Sequence, residues 1–345
     1  MEKTLTPGSP SLTRDDVDRA VRVLAGRLRR TPVVRCEALD ALAGARLWLK
    51  AENLQRGGSF KVRGALLAVE RLAAAGSRGV LAQSTGNHAI AVALAAAGHR
   101  LPTVVVLPSD AAPAKVRRIR QAGAEAVLAG TTVAERVAVV EELRERYGYD
   151  VVDPYQNPHV VAGQGSATAE LLHQVTAQGG RLDAVVVPIG GGSAVAGACL
   201  AAAGEDVAVV GAEPENVPAF TAALRAGGPV TVPARHTIAD GLRPDRIGAL
   251  PFALAHAAVS TVLTVGEDAI AEALRHTLLQ ARLVVEPAAA TAVAAAVAYA
   301  STHRVTDVGV LLSGGNVEPD LVAAVLADRP ETAVRPSGCD GAPAA

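Results

Sequence analysis

The chain has 345 residues, half of them hydrophobic, and a formal charge of −1. That balance excludes a nucleic-acid or polybasic membrane surface, and an aromatic content of 2% argues against stacking platforms for single strands. The length allows one large domain or two closely joined ones.

Three cysteines at wide spacing, Cys36, Cys199 and Cys339, fit reduced cytoplasmic thiols rather than a disulfide framework or a zinc site. The N-terminus has no apolar core of signal-peptide length. The uncharged stretch 184–204 is broken by Pro188 and glycines, so it reads as strand, loop and helix rather than a membrane span.

In chain order, residues 1–12 are expected to be disordered. Leu47-Trp48-Leu49-Lys50 alternates as a half-exposed strand, and Ser59 reads as the cap of a helix over 60–76. Strands follow at 79–83, 103–107, 125–128 and 150–152, separated by helices at 89–97, 112–122 and 132–147. Gly98, Gly123 and Gly148 close those helices. A second series begins with a strand at 184–189, a helix at 194–203, a strand at 207–211 and a helix at 218–226. It continues with a strand at 261–265, helices at 267–282 and 287–300, and a strand at 308–312. Alternating helices and near-continuous apolar strands predict an α/β fold with parallel sheets covered on both faces. Two lobes are expected: a small mobile one over 79–157 and a large one over 1–78 and 158–330, with 331–345 a disordered tail. The chain stops soon after Asn316, which predicts no appended regulatory domain.

Four polar or glycine-rich loops stand out: Gly57-Gly58-Ser59-Phe60-Lys61, Ser84-Thr85-Gly86-Asn87-His88, Gly190-Gly191-Gly192-Ser193 and Ser313-Gly314-Gly315-Asn316. Three follow predicted strands, where parallel α/β sheets bind ligands. Gly190–Ser193 opens a helix, so its backbone suits an anion. It matches neither GxGxxG, because position 195 is Val195, nor the Walker pattern, because Ala198-Cys199 replaces Lys-Ser/Thr. A tight packing turn is the alternative. Lysine is scarce. Only Lys3, Lys50, Lys61 and Lys115 carry an amine able to lose its proton and attack a carbonyl. Lys3 lies in the tail, and Lys115 sits with Arg117, Arg118 and Arg120 on a solvated helix face. Lys61 alone follows a glycine pair.

Taken in order, these loops resemble the fold-type-II pyridoxal-phosphate enzymes, specifically the threonine/serine dehydratase and serine racemase group. Thr31-Pro32, Glu52-Asn53-Leu54-Gln55, Ala162-Gly163-Gln164-Gly165, Thr237–Gly241 and Val285-Glu286-Pro287 extend the resemblance from Leu12 to Pro319. The resemblance implies that Lys61 holds pyridoxal 5'-phosphate as a Schiff base and moves the substrate's Cα proton. Phe60 would pack on the ring, Asn87 bond its hydroxyl, Gly190, Gly191, Gly192 and Ser193 bind its phosphate, and Ser313 meet its nitrogen. Glu286 would lie near the ring, or merely open a helix. Ser84, Thr85, Gly86, Asn87 and His88 would receive the substrate carboxylate, with His88 contributing its backbone.

Two positions depart from the pattern. Threonine dehydratases often carry alanine, and racemases a catalytic serine, where this chain has Thr85. Thr85 has the hydroxyl but also a stiff methyl. Racemase-like members bind a divalent cation through acidic residues after a strand. Here Glu213 is kept, but Ala219 stands where a second acidic ligand belongs, so no metal site is expected. Asp240 reads as an Asx-turn residue.

The expected activity is α,β-elimination from a small-molecule β-hydroxy amino acid, L-threonine or L-serine, giving a 2-oxo acid and ammonia in a cytoplasmic homodimer or homotetramer. The alternatives are a serine racemase, a 3-hydroxyaspartate or other hydroxy-amino-acid dehydratase, or a non-catalytic small-molecule binding protein.

Overall fold

A computed structural model describes residues 12–84, 86–111, 113–130, 133–233 and 235–327. The expected disordered segments 1–12 and 331–345 lie, apart from Leu12, outside the described residues. The strands are β1 (Val33–Val34), β2 (Arg46–Ala51), β3 (Val80–Gln83), β4 (Thr103–Leu107), β5 (Glu125–Leu128), β6 (Asp150–Val151), β7 (Ala184–Pro188), β8 (Ala208–Pro214), β9 (Thr261–Val265) and β10 (Asp307–Leu312). The first helices are α1 (Arg14–Leu24), α2 (Glu37–Ala43), α3 (Lys61–Ala74), α4 (Asn87–Ala97), α5 (Pro113–Gln121), α6 (Val133–Tyr147) and α7 (Pro158–Thr176). The others are α8 (Ser193–Ala202), α9 (Ala219–Ala226), α10 (Ala249–Ala255), α11 (Glu267–Leu279), α12 (Pro287–Thr302) and α13 (Pro319–Leu326).

Two sheets form, each the centre of one lobe. The larger runs β1-β2-β10-β7-β8-β9 and is parallel except for β1; the smaller runs β5-β4-β3-β6 and is wholly parallel. The apolar strands explain why both faces are covered. Ala184 and Val186 of β7 point into a core with α12, while Val185 and Val187 point into another with α8. In the small sheet Val80 and Ala82 face α4, and Leu81 faces Val140 and Leu143 of α6. Period-two alternation thus feeds two cores at once.

Helix α7 carries no amphipathic pattern, because 12 of its 19 residues are buried. Asn157 opens it by accepting from the N–H groups of His159 and Val160. Its glycines are contact points. A Cβ on Gly163 would lie 2.5 Å from the Cα of Gly64 in α3, and one on Gly165 2.7 Å from the carbonyl oxygen of Gly197 in α8. The Ala162–Gly165 motif is therefore how three helices approach backbone to backbone.

Three local expectations are corrected. Lys50 is fully buried rather than half-exposed, since β2 lies inside the sheet between β1 and β10. Its Nζ donates to the Thr31 carbonyl at 2.9 Å, Glu170 Oε2 at 2.8 Å and Gln174 Oε1 at 2.7 Å. Ser59 does not cap α3: Phe60 holds the N-cap position with no side-chain cap, and the helix ends at Ala74. Ser59 instead forms an antiparallel bridge to Gly314, with the Phe60 N–H bonded to the Ser313 carbonyl and the Gly315 N–H to that of Gly58. These backbone bonds clasp the loop before α3 to the loop after β10.

Candidate active site

The carboxyl ends of β3, β6, β7 and β10 open onto one cavity of about 1110 Å³ between the sheets. Lys61, the first residue of α3, projects into it half-buried, with Phe60 beside it. Its Nζ lies 3.5 Å from Ser193 Oγ and 5.1 Å and 5.3 Å from the ring centroids of Phe60 and Tyr155. Enclosure by protein lowers the amine from 10.5 to about 8, with Asp153 and Glu286 opposing. Burial disfavours the ammonium, so a useful share of Lys61 is neutral near physiological pH.

Opposite Lys61, the Gly190–Ser193 loop leads from β7 into α8. The loop is closely packed: a Cβ on Gly190 would lie 3.0 Å from the Gly241 carbonyl, on Gly191 2.2 Å from the Tyr155 ring, and on Gly192 2.4 Å from Ile247 Cδ1. Gly192 also has φ of +97°. The first N–H groups of α8 have no partner within the helix and carry its positive dipole end, an arrangement that suits an anion. Ser313, buried at the end of β10, lines the same cavity.

From the small sheet, Ser84, Gly86, Asn87 and His88 line the facing wall at the start of α4. Thr85 lies outside the described residues. His88 Nε2 donates to the Val152 carbonyl at 2.8 Å, and burial and the Lys61 charge bring its pKa down from 6.5 to about 4. It is a neutral side chain tied to the end of β6. Glu286 sits at the N-cap position of α12 without capping it; its two oxygens accept from Asn87 Nδ2 at 2.9 and 3.0 Å. Burial pushes its carboxyl up to about 7.

Two further expectations change here. Lys115 and Arg118 do not simply face solvent: Lys115 Nζ pairs with Asp240 Oδ2 at 2.8 Å, and Arg118 Nη1 with Glu318 Oε1 at 3.2 Å. Both pairs join α5 of the small lobe to the large one. Asp240 therefore gives its carboxylate to Lys115, not to an Asx-turn. Glu213 is spent structurally, its oxygens accepting the Phe220 and Thr221 N–H groups at 2.9 Å each, at the start of α9.

Tyr155, Asn316 and Arg136 are among the cavity-lining residues to which the sequence assigns no role. Tyr155 was findable, because Asp153-Pro154-Tyr155 is a polar turn directly after the short strand β6. Asn316 ends one of the four loops, yet its bonds to Asn87 and Gly57 are long-range. Arg136 looked like one more charge on an exposed helix.

Known proteins resemble this one along nearly its whole length. A family model described as "Pyridoxal-phosphate dependent enzyme" matches residues 24–314. The L-threo-3-hydroxyaspartate ammonia-lyase of a Pseudomonas sp is 37% identical over 314 residues, which is 90% of this chain and 97% of that protein. The crystal structure of a T.th. threonine deaminase superposes with a TM-score of 0.84 at 39% identity, covering 89% of this chain and 99% of that one. Maize serine racemase superposes with a TM-score of 0.85 at 31% identity, covering 92% and 97%. With two parallel-sheet lobes meeting at a lysine-bearing cavity, the chain belongs to the fold-type-II family of pyridoxal-phosphate dependent enzymes, and its cofactor is pyridoxal 5'-phosphate.

Proposed function

We propose that the protein is an ammonia-lyase that converts L-threonine or L-serine to a 2-oxo acid and ammonia. The observation that carries this reading is the pairing, in one cavity, of Lys61 at a pKa of about 8 with a buried, neutral Ser313 at the end of β10.

The cavity fits the cofactor. The glycine cradle of α8 suits its phosphate, the amine of Lys61 its aldehyde, and Asn87 its ring hydroxyl. Phe60, Glu286 and Ser313 line the same cavity and would meet, in turn, a ring face, the ring's surroundings and the ring nitrogen. When bound, the cofactor supplies an electron sink for a carbanion at the substrate's Cα. A serine hydroxyl cannot hold a full proton on the ring nitrogen as a carboxylate would. The sink is then weak, which favours letting the electron pair depart with a β-hydroxide over holding it at Cα. Lys61 takes the Cα proton. Ser84, Gly86, Asn87 and His88 would hold the substrate carboxylate at the start of α4, where the positive end of the helix favours an anion; Thr85, expected to join them, lies outside the described residues. For L-serine the balance is pyruvate plus ammonia, water being lost and then regained.

A second reading, 3-hydroxyaspartate as substrate, is favoured by a specific observation. Beside the acidic Asp110, Asp240 and Asp245, the cavity wall carries Arg136, Arg243 and Arg246, cations of the kind a second carboxylate requires, while Lys115 and Arg118 are already paired with Asp240 and Glu318. The test is a panel of L-threonine, L-serine and L-threo-3-hydroxyaspartate scored for ammonia, 2-oxo acid and D-amino acid. Turnover of the first two supports the lyase reading. Turnover of the dicarboxylate alone, lost in Arg136→Ala, selects the second. D-serine without ammonia means a racemase, and ammonia from none of the three sinks the proposal.

A further inference from the structure

One buried ionisable group on the cavity wall still lacks a defined task. Glu286 is 5% exposed, and its carboxylate bonds across the cavity wall to Asn87 instead of capping α12. Asn87 Oδ1 in turn accepts from Asn316 Nδ2 at 2.7 Å, and the same nitrogen donates to the Gly57 carbonyl at 2.8 Å. The Gly57 carbonyl only accepts, so Asn316 presents its nitrogen to Asn87 Oδ1, and Asn87 Nδ2 faces Glu286, which accepts from it when ionised. The carboxylate is wedged: a Cβ on Gly314 would lie 2.7 Å from its Oε1 and 3.1 Å from Asn87 Nδ2. The amide nitrogen keeps donor capacity beyond a bifurcated bond to Glu286, and Asn87 lines the cavity.

We propose that Glu286 is a positioning residue that locks the Asn87 amide so that its nitrogen, never its oxygen, is offered to the ring hydroxyl of pyridoxal phosphate. The inference rests on the proposed contact between Asn87 and that hydroxyl. A ring oxygen carrying negative charge needs a donor, and a flipped amide would meet it with an acceptor. Asn316 holds the other end of the amide. The charged groups facing Glu286 are Lys61 at the start of α3 and Asp240 in the turn at 240–242, with Lys115 of α5 paired behind Asp240. His88, beside Asn87 on α4, is neutral and tied to Val152. Burial raises the Glu286 carboxyl to about 7, so its charge is expected to respond to pH in the neutral range and to reach the ring oxygen through the Asn87 amide.

The experiment measures the dissociation constant of pyridoxal phosphate from apoprotein, and the pH dependence of holoenzyme absorbance, for wild type, Glu286→Ala, Glu286→Gln and Asn87→Ala. Thermal melting checks folding. Glu286→Ala is expected to weaken cofactor binding about tenfold, the size of one charge-assisted hydrogen bond. Glu286→Gln keeps an oxygen for Asn87 and is expected to stay within about threefold of wild type. The wild-type absorbance change near pH 7 is expected to vanish in both. Unchanged affinity and titration in Glu286→Ala, with affinity lost in Asn87→Ala, overturns the positioning role and leaves the Asn87 contact standing. Unchanged affinity in Asn87→Ala overturns that contact and the inference with it. If Glu286→Ala fails to fold, an unaltered absorbance titration in Glu286→Gln is by itself the overturning result.

Discussion

Lys61 Nζ stands 3.5 Å from Ser193 Oγ, a residue 132 positions further along the chain. Each opens a helix, so the N-terminal ends of α3 and α8 converge on one point. Two positive dipole ends there favour an anion in the space between them and add to the enclosure that disfavours an ammonium. The same geometry suits the phosphate proposed to bind there and favours a neutral amine.

The amine can be tested by loading the apoprotein. With a pKa of about 8, roughly a quarter of Lys61 is neutral at pH 7.5, against about one part in a thousand for an ordinary lysine. The second-order rate of cofactor uptake is expected to rise with pH and level off above about 8. A rate still climbing in proportion to hydroxide up to about pH 10 would mean an ordinary lysine. Borohydride is expected to fix the chromophore to the peptide containing Lys61, and Lys61→Ala to carry none.

Gly191 gives a second prediction. A Cβ there would meet the Tyr155 ring at 2.2 Å, so Gly191→Ala must displace either the cradle or the ring. Cofactor affinity is expected to fall by at least about tenfold, an overpacking effect of typical size. Tyr155→Ala removes the obstacle, and the double variant is expected to recover most of the loss. Equal weakening in the single and double variants would show that the fault lies in the Gly191 backbone rather than in its contact with Tyr155.

Much of this was legible because the signals are local. Strand and helix alternation pointed to both sheets, since β7 and β8 feed cores on both faces and so show unbroken apolar runs. Asn87, the glycine loop and Ser313 were legible as loops at strand ends, Lys61 as a scarce amine after a glycine pair, and all line the cavity. What escaped depends on contacts between distant residues. Lys50 looked exposed because alternation cannot show a carboxylate arriving from α7, and the bridge from Ser59 to Gly314 outcompeted a local cap. The Asn316 bond to Asn87 and the Lys115 pair with Asp240 exist only once the two lobes face each other.

The charge cluster beneath α3 makes a stability prediction. Arg63 is fully buried and donates to Glu52 at 2.7 and 2.8 Å and to Glu170 at 2.9 and 2.8 Å. Arg63→Met leaves both carboxylates facing each other without their shared partner, which is expected to cost about 3–5 kcal/mol. Arg63→Lys is expected to fare little better, because a point charge cannot bridge two carboxylates with a planar fork. Denaturant unfolding checks this. A midpoint like wild type for Arg63→Met would show that Lys50 alone, 2.8 Å from Glu170, neutralises the cluster.

His88 yields a pH prediction whose sign follows from its burial. Its pKa falls from 6.5 to about 4 in the fold, through burial and then the charge of Lys61. As pH drops below 6.5 the unfolded chain takes up a proton that the folded His88 refuses, so stability is lost until the fold also protonates near 4. The full loss is about 3 kcal/mol. Glu286 works in the opposite sense: its carboxyl, raised from 4.5 to about 7, contributes stability at low pH that is lost as pH rises through 7. Wild-type apoprotein is therefore expected to show a shallow net dependence between these values, and the diagnosis rests on a difference. His88→Gln keeps a donor for the Val152 carbonyl and cannot titrate. Relative to wild type, the variant is expected to gain stability steadily as pH falls from 6.5 toward 4. Parallel stability curves for the two proteins would mean that His88 protonates in the fold as readily as in the unfolded chain, and that its ring is not held neutral against Val152.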